Sequence, residues 1–269
     1  MRYLTQIFLF FMLVCAAPAQ ATGFSSSSSQ AGEALHYSAE QIIKFSKKVE
    51  KTMADKGAYV AILARMGRPR SELPEGMHFT HVAFAVYSEI TTSDGRKVPG
   101  YAIYNLYQKD GQPDVSALAQ DFPVDFFAGV AELEAGVIIP SAELQKRLLG
   151  VIGSDVYSKL HEPHYSVIAN PYTLGRQNCT EFVLDVINAA IYQTDDIGKI
   201  KANEKAYFVG QKVNVNPFKL MLGSMFSKEV STSDHNNGET ITATFETISQ
   251  YLGKYDEGVE TLTVIPDTN

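Results

Sequence analysis

Between Ala34 and Lys56 the apolar residues Leu35, Ile42, Ile43, Phe45 and Val49 recur at roughly helical spacing, and Gly57 ends the run. Tyr59 to Ala64 is a short apolar stretch that reads as a buried strand, and Gly67 to Gly76 has turn chemistry with two prolines. His81 to Tyr87 alternates regularly. His81, Ala83, Ala85 and Tyr87 share one face of the predicted strand, and Val82, Phe84 and Val86 share the other. Tyr101 to Gln108 is its expected antiparallel partner, reached through a turn at Ser93-Asp94-Gly95. Asp110 to Phe127 reads as a loop with an apolar cluster at Phe122, Val124, Phe126 and Phe127.

Val137 to Ile139 is a short predicted strand, and Pro140-Ser141 opens a helix carrying Leu144, Leu148, Leu149 and Ile152. Tyr165 to Ala169 is read as another strand, followed by a turn at Asn170-Pro171 and a helix that starts near Cys179. Beyond Tyr192 the pattern weakens. Asp234 to Gly238 is a loop, Ile241 to Ile248 fits strand or helix, and Leu262 to Ile265 is a last strand. This order of elements predicts an α+β fold.

The first residues read as an address. Arg2 supplies a positive start, Ile7 to Val14 is unbroken apolar sequence, and Ala19-Gln20-Ala21 has the small-x-small pattern of a cleavage site. The expectation is a cleaved signal peptide at 1–21, a Ser-rich flexible lead-in at 22–33, a catalytic domain at 34–190 and an extension at 191–269 packed on it. The mature protein is then periplasmic or secreted, with no stable membrane span after processing. Losing the leader removes one charged side chain, Arg2, and leaves 22 basic against 30 acidic groups. Such a balance argues against nucleic acid as a partner and against a strong grip on anionic lipid. Cys15 also leaves, so one cysteine remains in a compartment where cysteines usually occur as disulfide pairs.

That cysteine stands in Gln177-Asn178-Cys179-Thr180-Glu181-Phe182. Asn178 is a good N-cap with Glu181 three positions later, and Cys179, Phe182, Val183, Val186, Ile187 and Ala190 form one apolar helical stripe. Cys179 therefore falls in the first turn of a helix on its inward face. There the helix N-terminus is expected to lower the thiol pKa, and first-turn amides can meet an oxyanion. The bland reading is a core cysteine. A thiolate nucleophile needs a base, and His81 lies on a strand face of small residues that a helix could approach closely. Asn105 in the partner strand is the candidate orienter of the imidazole, with Tyr107 and Gln108 as competitors. Arg65 is read as a solvated charge at a strand end, with contact to a carboxylate substrate as its functional alternative.

Arg65-Met66-Gly67, Thr80-His81-Val82-Ala83-Phe84 and Ala169-Asn170-Pro171-Tyr172 with Gln177-Asn178-Cys179 resemble the bacterial domain of unknown function 2145 family. More broadly, a strand His followed about a hundred residues later by Asn-Cys-x-x-Phe resembles the permuted papain-like group. That group includes relatives of the NlpC/P60 peptidases and of lecithin:retinol acyltransferase. The resemblance spans roughly Tyr59 to Ala190 and implies an antiparallel sheet packed against the helix bearing the Cys. It also implies Cys179 as nucleophile, His81 as base and Asn105 as the polar third member, in a position where histidine is expected in the family. Asn178, Gln177 and Arg65 are the candidate oxyanion or substrate contacts.

The expected activity is that of a cysteine hydrolase or acyltransferase acting on an amide or ester of the cell envelope, with a wall peptide first and a lipid ester second. No cofactor is implied, because thiol, imidazole and backbone amides fill every role. A metal site is disfavoured: Pro163 puts His161 and His164 in a loop, and His78 and His81 would point to opposite sides of a strand. The rival reading is a non-catalytic envelope-binding protein on the same fold.

Overall fold

A computed structural model describes residues 36–92, 94–214, 234–235 and 239–267; the expected leader and lead-in lie outside them. Helix α1 (Ala39–Asp55) starts at Ser38, whose side chain and that of Gln41 form a reciprocal capping box. It stops at Gly57, whose φ of +67° suits a residue without a side chain. The chain then builds β1 (Val60–Met66), β2 (His81–Thr91), β3 (Lys97–Lys109), β4 (Gln112–Asp121), the short helix α2 (Pro123–Phe127) and β5 (Glu132–Ile139). Helices α3 (Ala142–Ile152), α4 (Asp155–Lys159), α5 (Cys179–Tyr192) and α6 (Ile197–Tyr207) follow. Next come β6 (Gln211–Val213), β7 (Thr240–Thr242), α7 (Phe245–Tyr255) and β8 (Glu260–Val264). The expected α+β class holds, around a six-stranded antiparallel sheet in the order β4-β3-β2-β1-β5-β8.

Each face of the sheet has its own core. Val82, Phe84 and Val86 pack with Phe182, Val183 and Val186 of α5 and with Phe245 and Ile248 of α7. Ala83, Ala85, Leu63 and Ile103 pack instead under Phe45, Val49 and Met53 of α1, with Phe126 and Phe127 of α2. The small residues of β2 therefore receive α1. The Cys-bearing helix covers the opposite, large-residue face, which corrects the expected approach of α5 to the face that carries His81. Close packing of a helix on a sheet depends on fitting knobs into available volume, and the bulky face is the one α5 complements.

The segment 110–127 is ordered structure rather than loop. Its first part is the edge strand β4, mostly polar and interrupted by Pro113, which an edge tolerates because one side of the ladder needs no donors. Tyr165 to Ala169 is not a strand. Tyr165 makes one isolated bridge, to Gln177, and Ala169 donates back to the Ser166 carbonyl in a turn. The weak pattern after Tyr192 also conceals order. β8 pairs with β5 in the main sheet, and α7 contributes to the same core as α5.

Candidate active site around Cys179 and His81

Asn178 is extended, and its side-chain oxygen accepts the Glu181 N–H at 2.8 Å, so α5 begins at Cys179 as its cap signature predicts. Residues 179–190 are all buried, on every side of the helix and not only on the apolar stripe. The thiol is 4 % exposed and forms part of the wall of a cleft of about 390 Å³, its open mouth included. Phe79, Tyr165 and Val167 supply apolar wall, and Thr80, Thr180 and Thr242 supply hydroxyls. Gly136 permits this wall: a Cβ there would come within 2.7 Å of both Phe79 and Phe245, whose rings meet edge to face.

The pairing of β2 with β3 begins at Phe84↔Tyr104, leaving His81 to Ala83 unpaired on that side. The thiol lies 3.7 Å from the Thr180 hydroxyl, and the Val82 backbone amide of this stretch is near enough to favour its thiolate. Burial pushes the Cys179 pKa up; the Val82 amide, the Thr180 hydroxyl and the Arg65 charge oppose it without prevailing. The expected lowering by the helix terminus is thus outweighed by desolvation, and the resting side chain is a thiol.

His81 lies at the end of the other face, fully buried. Its Nε2 is 3.0 Å from Asn105 Oδ1, while no described group hydrogen-bonds its Nδ1. The ring stacks on Tyr107 at 4.9 Å with 13° between planes, and Phe126 lies at 5.6 Å. Burial lowers its pKa to about 3, the Arg65 charge adding to the effect and the Asn105 bond opposing it. No hydrogen bond joins His81 to Cys179 in this resting arrangement.

The structure brings His81 and Asn105 together and seats Cys179 beside the amide next in sequence to His81. It does not present the other candidates to the cleft as free contacts. Gln177 donates to the Leu160 carbonyl and to Asp185 Oδ2, and accepts from the Glu162 N–H. Asn178 is committed to its cap, to the Val167 carbonyl and to Thr242. Arg65 is not a solvated charge: it is 2 % exposed, donates to the Phe126 carbonyl, and lies over the Phe126 and Tyr107 rings at 5.0 and 5.8 Å. The β1 position opposite His81 and the lid of α2 make that burial possible. Gln108, a rival orienter, is engaged with the Pro113 carbonyl.

Sequence reasoning missed Asp121, hidden in what looked like loop. It accepts from Asn105 at 2.8 Å and from the Tyr107 hydroxyl at 2.7 Å. Its appearance on the His81 face follows from the β3–β4 register Ile103↔Asp121. Among the described residues no three His, Cys, Asp or Glu side chains converge as metal ligands, and no helix is long and apolar enough to cross a membrane.

No curated protein and no solved structure matches the chain. A family model described as an uncharacterized protein conserved in bacteria (DUF2145) matches residues 52–252, a span that holds both Cys179 and the His81 cluster. The chain belongs to this DUF2145 family.

Proposed function

We propose that this is an exported thiol hydrolase or acyltransferase with a permuted papain-like arrangement, in which Cys179 is the nucleophile and His81 the base. The observation that carries the reading is the His81 imidazole: its Nε2 is held by Asn105, and its Nδ1 is buried without a partner. A buried unsatisfied acceptor costs about 1–3 kcal/mol, and retention of such a group one residue along the strand from Val82, whose amide favours the Cys179 thiolate, calls for a use.

The thiol pKa is raised and the imidazole is neutral at rest, so proton transfer accompanies attack rather than preceding it. His81 Nδ1 takes the thiol proton as Sγ bonds to the carbonyl carbon, and each new charge relieves the isolation of the other. The Cys179 backbone amide meets the oxyanion. The amine or alcohol leaves with the proton from His81, and water or an acceptor amine, deprotonated by His81, breaks the thioester. The cleft wall carries no charged side chain. It suits an uncharged acyl group better than a wall peptide with free carboxylates, and Phe126 and Phe127, buried on the other face, do not extend it as a lipid groove.

The competing reading, a binding protein with a core cysteine, is favoured by the 4 % exposure of the thiol. Alkylation of Cys179 by iodoacetamide across pH decides between them. The catalytic reading expects reaction in the folded protein at neutral pH, slowed at least about tenfold in His81→Ala. A thiol inert until the chain unfolds would leave the binding reading standing.

A further inference from the structure

The polar chain behind His81 does not end at Asn105. We propose that Asp121 is a positioning residue: through the Asn105 amide it selects the His81 tautomer that carries its proton on Nε2 and leaves Nδ1 bare as the base. This rests on the catalytic reading only for the use made of that bare nitrogen.

The argument is a sequence of donors and acceptors. The Tyr107 hydroxyl donates its proton to Asp121 Oδ2 at 2.7 Å. Asp121 Oδ1 is left to accept, and Asn105 Nδ2 donates to it at 2.8 Å. The same amide nitrogen faces the Ile103 carbonyl at 3.3 Å. Turning the Asn105 amide over would set its oxygen against a carboxylate and a carbonyl, so its orientation is determined from behind. Asn105 Oδ1 then faces His81 Nε2 at 3.0 Å, and an oxygen with no proton can only accept. Nε2 therefore carries the N–H, and the lone pair falls on Nδ1, the nitrogen without a partner.

The surroundings fit a carboxylate in this role. Burial pushes Asp121 up to about 6, with Asp125 from α2 adding to the effect; the Tyr107 hydroxyl, the Arg65 charge and the Asn105 amide oppose it, so the group is mostly carboxylate at neutral pH. The Tyr107 ring, tied to the carboxylate by its hydroxyl, also stacks on the imidazole and fixes its plane. One side chain thus sets the rotation of the amide and anchors the platform under the ring.

Nitrogen-15 NMR of histidine-labelled full-length protein reads the His81 tautomer directly, alongside Cys179 alkylation at neutral pH. The wild type is expected to show the Nε2–H form; the Nδ1–H form there would overturn the proposal without any variant. In Asp121→Asn, Tyr107 still donates to the new side-chain oxygen, so the new amide nitrogen faces Asn105 and turns it over. His81 then shifts to Nδ1–H, and alkylation slows at least about tenfold, as expected when a base is held in the wrong tautomer. A pure Nε2–H signal in Asp121→Asn would overturn the role of Asp121 even if Cys179 still depended on His81. A switched tautomer with alkylation unchanged in both Asp121→Asn and His81→Ala would keep the clamp and remove the catalytic reading.

Discussion

Two buried polar clusters flank the start of α5, and they are built on opposite principles. Behind the helix, Lys201 of α6 bonds Glu181 at 2.7 Å and Asp185 at 2.6 Å and lies 3.1 Å from Glu204. Gln177 donates to Asp185 and Asn188 to Glu204, and the Tyr251 hydroxyl donates in turn to the Asn188 side-chain oxygen. Burial pushes Glu181 up to about 8, with the Lys201 charge opposing, and pushes Glu204 well above the ordinary carboxylate range. Near neutral pH the cluster settles with its lysine charge matched by carboxylate, since burial of net charge is strongly disfavoured. Across the sheet the arrangement is incomplete. Arg65 is held by a carbonyl and two ring faces with its Nε unpartnered, and His81 keeps a bare nitrogen. The difference lies in charge and not in saturation: Glu181 Oε2 also lacks a hydrogen-bond partner, yet Lys201 has carboxylates within ion-pair distance, whereas Arg65 has none among the described residues.

The sharpest way to break this contrast is to remove each cation. Lys201→Met leaves three carboxyls without their donor and is expected to cost about 3–5 kcal/mol in chemical denaturation. An effect below about 1 kcal/mol would show that those carboxyls are held neutral with or without the lysine.

The next largest effect is a pH slope. His81 is held near 3 by burial against an ordinary value of 6.5, so the unfolded chain binds its proton first as pH falls. Stability should decline on acidification from pH 6.5 toward 3, with a limiting slope of about 1.4 kcal/mol per pH unit. Asp121, pushed up to about 6 chiefly by burial, acts oppositely between 6 and 3.8, because there the folded state binds the extra proton. Comparison with His81→Gln isolates the histidine contribution: its advantage over wild type should grow as pH falls. Parallel stability curves would show that His81 is hydrated enough to protonate in the folded state.

The smallest effect is expected at Arg65→Met. Loss of contacts to two rings, about 1–2 kcal/mol, is offset by removal of a buried charge with no carboxylate partner. The thiol should lose a favourable charge and titrate higher in a pH series of alkylation rates. A stability loss matching that of Lys201→Met would erase the distinction between the clusters.

Much of the local structure was legible. The cap at Asn178 and the stripe from Phe182 to Ile187 specify where α5 starts and which residues it buries, because helix termini and periodicity are local matters. Alternation likewise revealed the two faces of β2. What alternation cannot state is which layer covers which face, and α5 lies on the side opposite to expectation. Edge strand β4 stayed hidden because its alternation is mostly polar and includes a proline, and with it went Asp121.

By itself, the sequence determined the helix that carries Cys179, the strand that carries His81, and the isolated amide at Asn105, since these depend on neighbours a few residues away. Only the tertiary structure decided that Cys179 is buried near the Val82 amide of β2, that Arg65 is buried, and that Asp121 stands behind Asn105. Register across the sheet brings positions dozens of residues apart within hydrogen-bond range, and desolvation then outweighs the local influence of a helix terminus on its cysteine.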